Sequence, residues 1–141
     1  MSDAIVVGAG PAGSAAAIGM ARAGDRTLLL ERARETGDAL CGGFLSWQTL
    51  QRLDALGIDR PALGGQAVRR VRLFAGRRQS ETVLPGEAMG VSRRRLDSAL
   101  QAAAVAAGAG LECGVLLQDT NDIKAGDTLE VFEVEERIRT L

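Results

Sequence analysis

The run IVVGAGPAGSAAA, residues 5–17, places glycine at Gly8, Gly10 and Gly13 with Pro11 and Ala12 between them. An acid, Glu31, stands 18 residues beyond Gly13. A glycine at the first of these positions permits a tight turn out of a strand. At the second, the missing side chain lets a ligand approach the backbone. At the third, it lets a helix pack close to the strands. A helix starting inside such a loop offers free N–H groups and partial positive charge to an anion. An acid at this distance is placed to accept hydrogen bonds from ribose hydroxyls and to repel a 2′-phosphate. Together these residues describe a site for the pyrophosphate and adenosine ribose of a dinucleotide, with NADP disfavoured. The loop alone leaves FAD and NAD both open.

The site needs elements to hold it. Ala4–Val7 is a short apolar run bounded by glycine, and it reads as a buried parallel strand. An Ala-rich helix follows to about Ala23, with Pro11 in its first turn and Gly24 at its C-cap. Thr27–Leu30 closes a β-α-β unit. Leu45, Leu50, Leu53 and Leu56 mark a second helix ended by Gly57. Val68–Phe74 and Glu81–Leu84 flank AGRRQS as a β-hairpin, with Val71 and Leu73 on a buried face. Ser92 is a plausible N-cap for a third helix running to Gly108. Arg93, Arg94 and Arg95 open that helix against its macrodipole, so an anionic partner is expected there. Trp47 reads as packing.

Composition narrows the chemistry. The chain has 141 residues, room for one ordinary domain, and 46% are apolar, as in a globular protein. Aromatics are 3%, which argues against base-stacking nucleic-acid readers. There is no histidine, so His triads, His bases and His metal ligands are excluded, and no metal site is expected. Cys41 and Cys113 lie far apart in sequence with no export signal. They read as free thiols of a cytoplasmic protein. The apolar N-terminus is cut by glycine and proline and is neither signal peptide nor membrane span. Charge is uneven: residues 1–109 carry net +4, and residues 110–141 carry net −5 with the only lysine, Lys124. The domain is too mildly basic to read as a DNA-binding surface.

Four stretches, VVGAGPAGSAAA, LLLER, CGGFLS and LDALGI, occur in the order of a known family. GVSRRRLDSALQAAAVAAGA adds Arg93, Leu96 and Asp97 as an Arg-x-x-Leu-Asp helix. Over about residues 3–109 the sequence resembles FAD-dependent oxidoreductases of the geranylgeranyl reductase-like type, within the aromatic hydroxylase-like flavoproteins. The resemblance implies FAD, with its pyrophosphate near Gly10–Gly13 and its adenosine ribose at Glu31. It implies that Arg32 and Arg93 lie close to the cofactor, and that Cys41 and Gly42 lie near the flavin. Cys41 is then a possible catalytic thiol, and a structural role for it in a Gly-rich turn is as good a reading. The activity implied is hydride transfer from a nicotinamide donor through flavin to a small-molecule, isoprenoid-type substrate. The family's later Gly-Asp segment and its substrate domain are not in this sequence. Gly126-Asp127 has neither a strand before it nor a helix after it.

The remaining stretch, Gly110–Leu141, resembles the C-terminus of bacterial translation initiation factor two through ECG, NDIKAGDTLEVFE and the terminal RTL. That resemblance implies antiparallel strands closing a small barrel that holds initiator tRNA. The residues agree with strands: Leu111–Leu117 is apolar and Leu129–Val134 alternates. The expectation is therefore an α/β, Rossmann-like β-α-β FAD/NAD(P)-binding unit, incomplete, with a β-hairpin and C-terminal antiparallel strands. Its parts are residues 1–109 and 110–141, joined near Ala109–Gly110. Function is expected to be that of a truncated flavin-dependent oxidoreductase, active or inactive. The alternatives are a binding module for initiator tRNA or ribosome, and a nonfunctional fusion product associating through open sheet edges.

Overall fold

A computed structural model describes residues 2–41 and 43–114. β1 (Ala4–Val7) leads through the glycine loop into α1 (Pro11–Ala23) and then β2 (Thr27–Glu31). β1 and β2 pair in parallel, Ala4 opposite Thr27 and Val7 opposite Leu30. Parallel neighbours need a crossover, and α1 supplies it. Pro11 sits in its first turn, and Gly24 ends it at φ +99°, the left-handed C-cap. Ser14, Ala17 and Ile18 form the buried face of α1.

The chain then forms β3 (Phe44–Leu45) and α2 (Trp47–Ala55). α2 begins two residues later than the leucine spacing suggests. Leu45 belongs to β3, and Ser46 caps the helix by accepting from the Thr49 N–H at 3.2 Å. Trp47 packs against Gly86, where a Cβ would come within 2.8 Å of its side chain. β4 (Gln66–Ala75) and β5 (Arg78–Gly90) form the hairpin, with β3 on the other side of β5.

The hairpin is longer than its sequence signal. β5 continues past Pro85 because the ladder jumps from Val68 opposite Ala88 to Arg70 opposite Val83. Pro85 falls in that irregularity, where no N–H is required of it. The expected buried face is met only in part: Val71 is half-buried, Leu73 is 62% exposed, and Phe74 and Val83 nearby are exposed too. This part of the hairpin extends beyond the core, so its alternation reflects strand geometry rather than burial.

α3 (Arg93–Ala106) lies against α1 and leads into β6 (Gly110–Cys113). Leu96, Leu100 and Ala104 recur at helical spacing on its buried face. The core gathers Ile18, Leu29, Leu50, Leu63, Leu96 and Leu100 between the helices and the parallel sheet. β6 pairs in parallel with β2, giving the order β1-β2-β6. The C-terminal stretch thus enters the structure as a third parallel strand. The further strands expected in 115–141 lie outside the described residues.

β1 is an edge strand among the described residues, which corrects its reading as buried. Val6 packs on the core, but Ile5 and Val7 point to the other face and are 38% and 58% exposed. The described layout is α/β, with a parallel sheet backed by α1 and α3 and an antiparallel sheet beside α2.

Candidate functional site

The glycine loop joins β1 to α1, and its three glycines are glycine for three different reasons. Gly8 has φ +96°, a conformation side chains resist, and its N–H donates to the Leu30 carbonyl at 2.8 Å. At Gly13 a Cβ would collide with the Gly8 carbonyl oxygen. Gly10 is neither strained nor crowded: its φ is −72°, and a Cβ there would meet nothing within 4 Å. The protein itself has no need of glycine at position 10. The space beside it is open at the N-terminus of α1, and no side chain caps that terminus. Pro11 lacks an N–H, which leaves the N–H groups of the first turn, with Ala12 exposed there, facing outward for an anion.

Between Gly8 and Gly10, Ala9 is fully buried and held by three side chains. Its N–H donates to Glu31 Oε2 at 2.7 Å. Its carbonyl accepts from Ser14 Oγ at 3.0 Å and from Gln101 Nε2 at 2.9 Å. Glu31, at the end of β2, also accepts from the Ala33 N–H at 3.0 Å. The Ala33 and Ala9 N–H groups hold its carboxyl below the ordinary carboxylate range. Each Glu31 oxygen keeps a free lone pair for another donor. The carboxylate lines a cavity of about 100 Å³ together with Ala9, Gly10, Thr36, Asp97 and Gln101.

The other expected residues lie along α3 and the segment facing it. Arg93 pairs with Asp97 through two 3.0 Å bonds and lies beside the Cys41 thiol. The Asp97 carboxylate, burial and the nearby thiol all act on the guanidinium, and its pKa is raised. Arg32 is exposed next to Glu31, Cys41 is exposed, and Gly42 lies outside the described residues. The three arginines at the start of α3 differ in their partners. Besides the Arg93 pair, the Arg94 backbone N–H donates to Asp38, and the Arg95 guanidinium donates to the Gly64 carbonyl at 2.7 Å. Among the described residues only the Arg93 guanidinium of the three is paired with a carboxylate.

Three contributors were missed in sequence: Ser14, Thr36 and Gln101. Thr36 Oγ1 donates to Gln101 Oε1 at 3.1 Å, across 65 residues of chain. A signal for Gln101 existed. Arg93, Asp97 and Gln101 recur every four residues, a polar stripe on a helix otherwise rich in alanine and leucine. Ser14 is likewise the one hydroxyl in an alanine run. Thr36 had no signal. Among the described residues no group of three His, Cys, Asp or Glu is placed to hold a metal, and no helix is long and apolar enough to cross a membrane.

A family profile described as an FAD binding domain matches residues 1–139. A solved geranylgeranyl bacteriochlorophyll reductase-like protein from Thermoplasma acidophilum superposes with a TM-score of 0.67 and 30% identity, covering 80% of this chain and 30% of that one. Menaquinone reductase from Mycobacterium tuberculosis is 44% identical over 59 residues, 42% of this chain and 14% of that protein. Translation initiation factor IF-2 from Novosphingobium aromaticivorans is 91% identical over 33 residues, 23% of this chain and 4% of that factor. Both likenesses expected from the sequence are borne out. The chain spans less than a third of each of these proteins. Of the two dinucleotides the loop left open, FAD is the one the family description names.

Proposed function

The chain belongs to the FAD binding domain family, and we propose that it holds the ADP half of FAD at the glycine loop. Gly10 carries this reading. It is a glycine that neither backbone conformation nor packing requires, set where a pyrophosphate would approach α1. The residues present suit the cofactor. Ala12 and Gly13 would donate to the pyrophosphate, and Pro11 would keep the first turn pre-formed. Gly8 would make the turn, and Glu31 would accept from the ribose hydroxyls through its spare lone pairs. Arg32 would lie beside the adenosine end, and Arg93, Cys41 and Gly42 nearer the flavin. When bound, FAD supplies the hydride chemistry, and the chain's part is binding and orientation.

The finer assignment is the N-terminal part, residues 1–109, of a geranylgeranyl reductase-like oxidoreductase, joined near Ala109–Gly110 to the end of a translation factor. Two observations support the junction: the charge reversal at that point and the 91% identity to the initiation factor over 33 residues. A complete relative would act on a small, isoprenoid-type molecule. This chain covers 30% of the geranylgeranyl reductase-like structure, and the reading is confined to the ADP half of the cofactor. Binding of initiator tRNA is the weaker reading, because the chain carries 4% of that factor.

The test is FAD and ADP binding by the purified chain, followed by gel filtration and a visible spectrum. Retained flavin or measurable ADP binding is expected, lost in Gly10→Val with the unfolding midpoint unchanged. A wild-type chain that binds neither would end the proposal.

A further inference from the structure

We propose that Gln101 is a positioning residue for the dinucleotide site, acting through the Ala9–Gly10 peptide; the ligand part of this rests on the reading above. The peptide is planar and trans, so the Ala9 carbonyl and the Gly10 N–H point to opposite sides. Gln101 Nε2 and Ser14 Oγ hold that carbonyl inward, toward α3 and α1. The Gly10 N–H is thereby turned outward, toward the open space beside Gly10. A glycine on one side of this peptide makes it easy to flip. Flipped, it would present a carbonyl oxygen to a phosphate and turn a donor into a repulsive acceptor.

Ser14 alone does not fix the carbonyl laterally, because it belongs to the same helix the loop feeds. Gln101 reaches in from α3, 92 residues away in sequence. Its own amide is oriented from the other end. Thr36 Oγ1 donates to Oε1, which leaves Nε2 to face Ala9. Thr36 lies on the segment after β2, so the same side chain ties that segment to the loop. The order is Thr36 to Gln101, Gln101 to the Ala9 carbonyl, and the Ala9 peptide to the Gly10 donor.

The experiment uses the full chain and two variants, Gln101→Met and Gln101→Glu. Methionine keeps the length and removes both hydrogen bonds. ADP affinity in Gln101→Met is expected to fall about tenfold, the scale of one lost orienting bond, with the unfolding midpoint little changed. In Gln101→Glu an ionised carboxylate faces the Ala9 carbonyl, with Glu31, Glu35 and Asp97 also lining the cavity and Arg93 paired to Asp97. Its deficit relative to wild type is expected to shrink from pH 7.5 to pH ~5.5, as protonation restores a donor. The recovery is expected with the unfolding midpoint unchanged over that pH range; a midpoint that recovers in step with affinity would mean a structural role and overturn the inference.

The Gly10 amide in the ligand-free protein supplies a second readout. One sharp NMR resonance is expected in wild type and an exchange-broadened one in either variant. If Gln101→Met binds ADP as wild type does and keeps the sharp resonance, the Gln101 inference is overturned while the FAD reading stands. If wild type binds no ADP but the Gly10 resonance broadens in the variants, the peptide clamp stands and the FAD reading falls.

Discussion

In the glycine loop one buried residue, Ala9, is gripped by side chains from α1, β2 and α3. In the outer part of the β4–β5 hairpin, Leu73, Phe74 and Val83 are exposed, and ladder bonds and surface ion pairs hold the strands together. The two regions use glycine, charge and apolar residues in opposite ways. In the loop, Gly13 is fixed by close approach to the Gly8 carbonyl, and a carboxylate is tied to backbone donors. In the hairpin, Gly76 at φ +59° serves only the turn, a Cβ there would meet nothing, and the charges pair in solvent. Constraint in this protein is therefore concentrated where a ligand would sit.

The sharpest break of that contrast is Gly13→Val. Its side chain must displace the Gly8 carbonyl, and a loss of about 3 kcal/mol is expected from such overpacking. Thermal unfolding would show it as a fall of many degrees. Gly10→Ala, three residues away, is expected to leave the midpoint within about 0.5 kcal/mol of wild type, as for a substitution that breaks no native contact. If both variants lost stability equally, Gly10 would be structural and its open space would carry no functional meaning.

Core burial gives the next largest effect. Leu100 is 1% exposed on α3, so Leu100→Ala is expected to cost about 3 kcal/mol. Leu73→Ala, the same change on the hairpin at 62% exposure, is expected to stay within about 0.5 kcal/mol. Denaturant midpoints of the pair would test it, and a comparable loss at Leu73 would mean that something covers the hairpin in solution.

The same contrast explains what the sequence made legible. The β-α-β unit, Glu31 and the α3 register stood out because local spacing and packing agree there: Pro11, Gly24, Ser92 and the Leu96–Leu100 pair each have a local cause. The hairpin's alternation was visible too, but alternation reports strand geometry and cannot tell a buried face from an exposed one. Leu45 was drawn into a helix because leucine spacing ignores the Ser46 cap. The Ala9 clamp stayed hidden for a different reason. Its partners sit at positions 14, 31 and 101, and only the packing of α1 on α3 brings them together. β1 read as buried because apolar runs do not reveal which of their two faces finds a neighbour.

Acid should separate the two regions more gently. Glu31 has its folded pKa below the ordinary value, so its contribution is complete above the ordinary carboxylate range and is lost as pH falls through the folded pKa. Nucleotide affinity is expected to hold level relative to Glu31→Gln near neutrality and to converge with it only below the ordinary carboxylate range. The Arg26 guanidinium likewise holds Asp3 down, at about 2. Convergence of the two curves already at pH 6 would contradict the Ala33 and Ala9 bonds to Glu31.

The smallest effect belongs to the hairpin charges. Glu81 receives both Arg70 and Arg72, at 3.1 and 2.8 Å, with each arginine side chain more than half exposed. Such pairs gain little in water and lose side-chain entropy, so Glu81→Gln is expected to cost under about 1 kcal/mol. Much of that cost should vanish in about 1 M salt, where charges are screened within about 3 Å. The Arg93–Asp97 pair lies beside the loop, its side chains 25% and 10% exposed. Asp97→Asn is expected to keep most of its cost in the same salt, because partial burial limits the access of counterions. Measuring both variants at low and high salt sets the two regions directly against each other. Equal salt sensitivity would mean that the Arg93 pair is as wet as the hairpin.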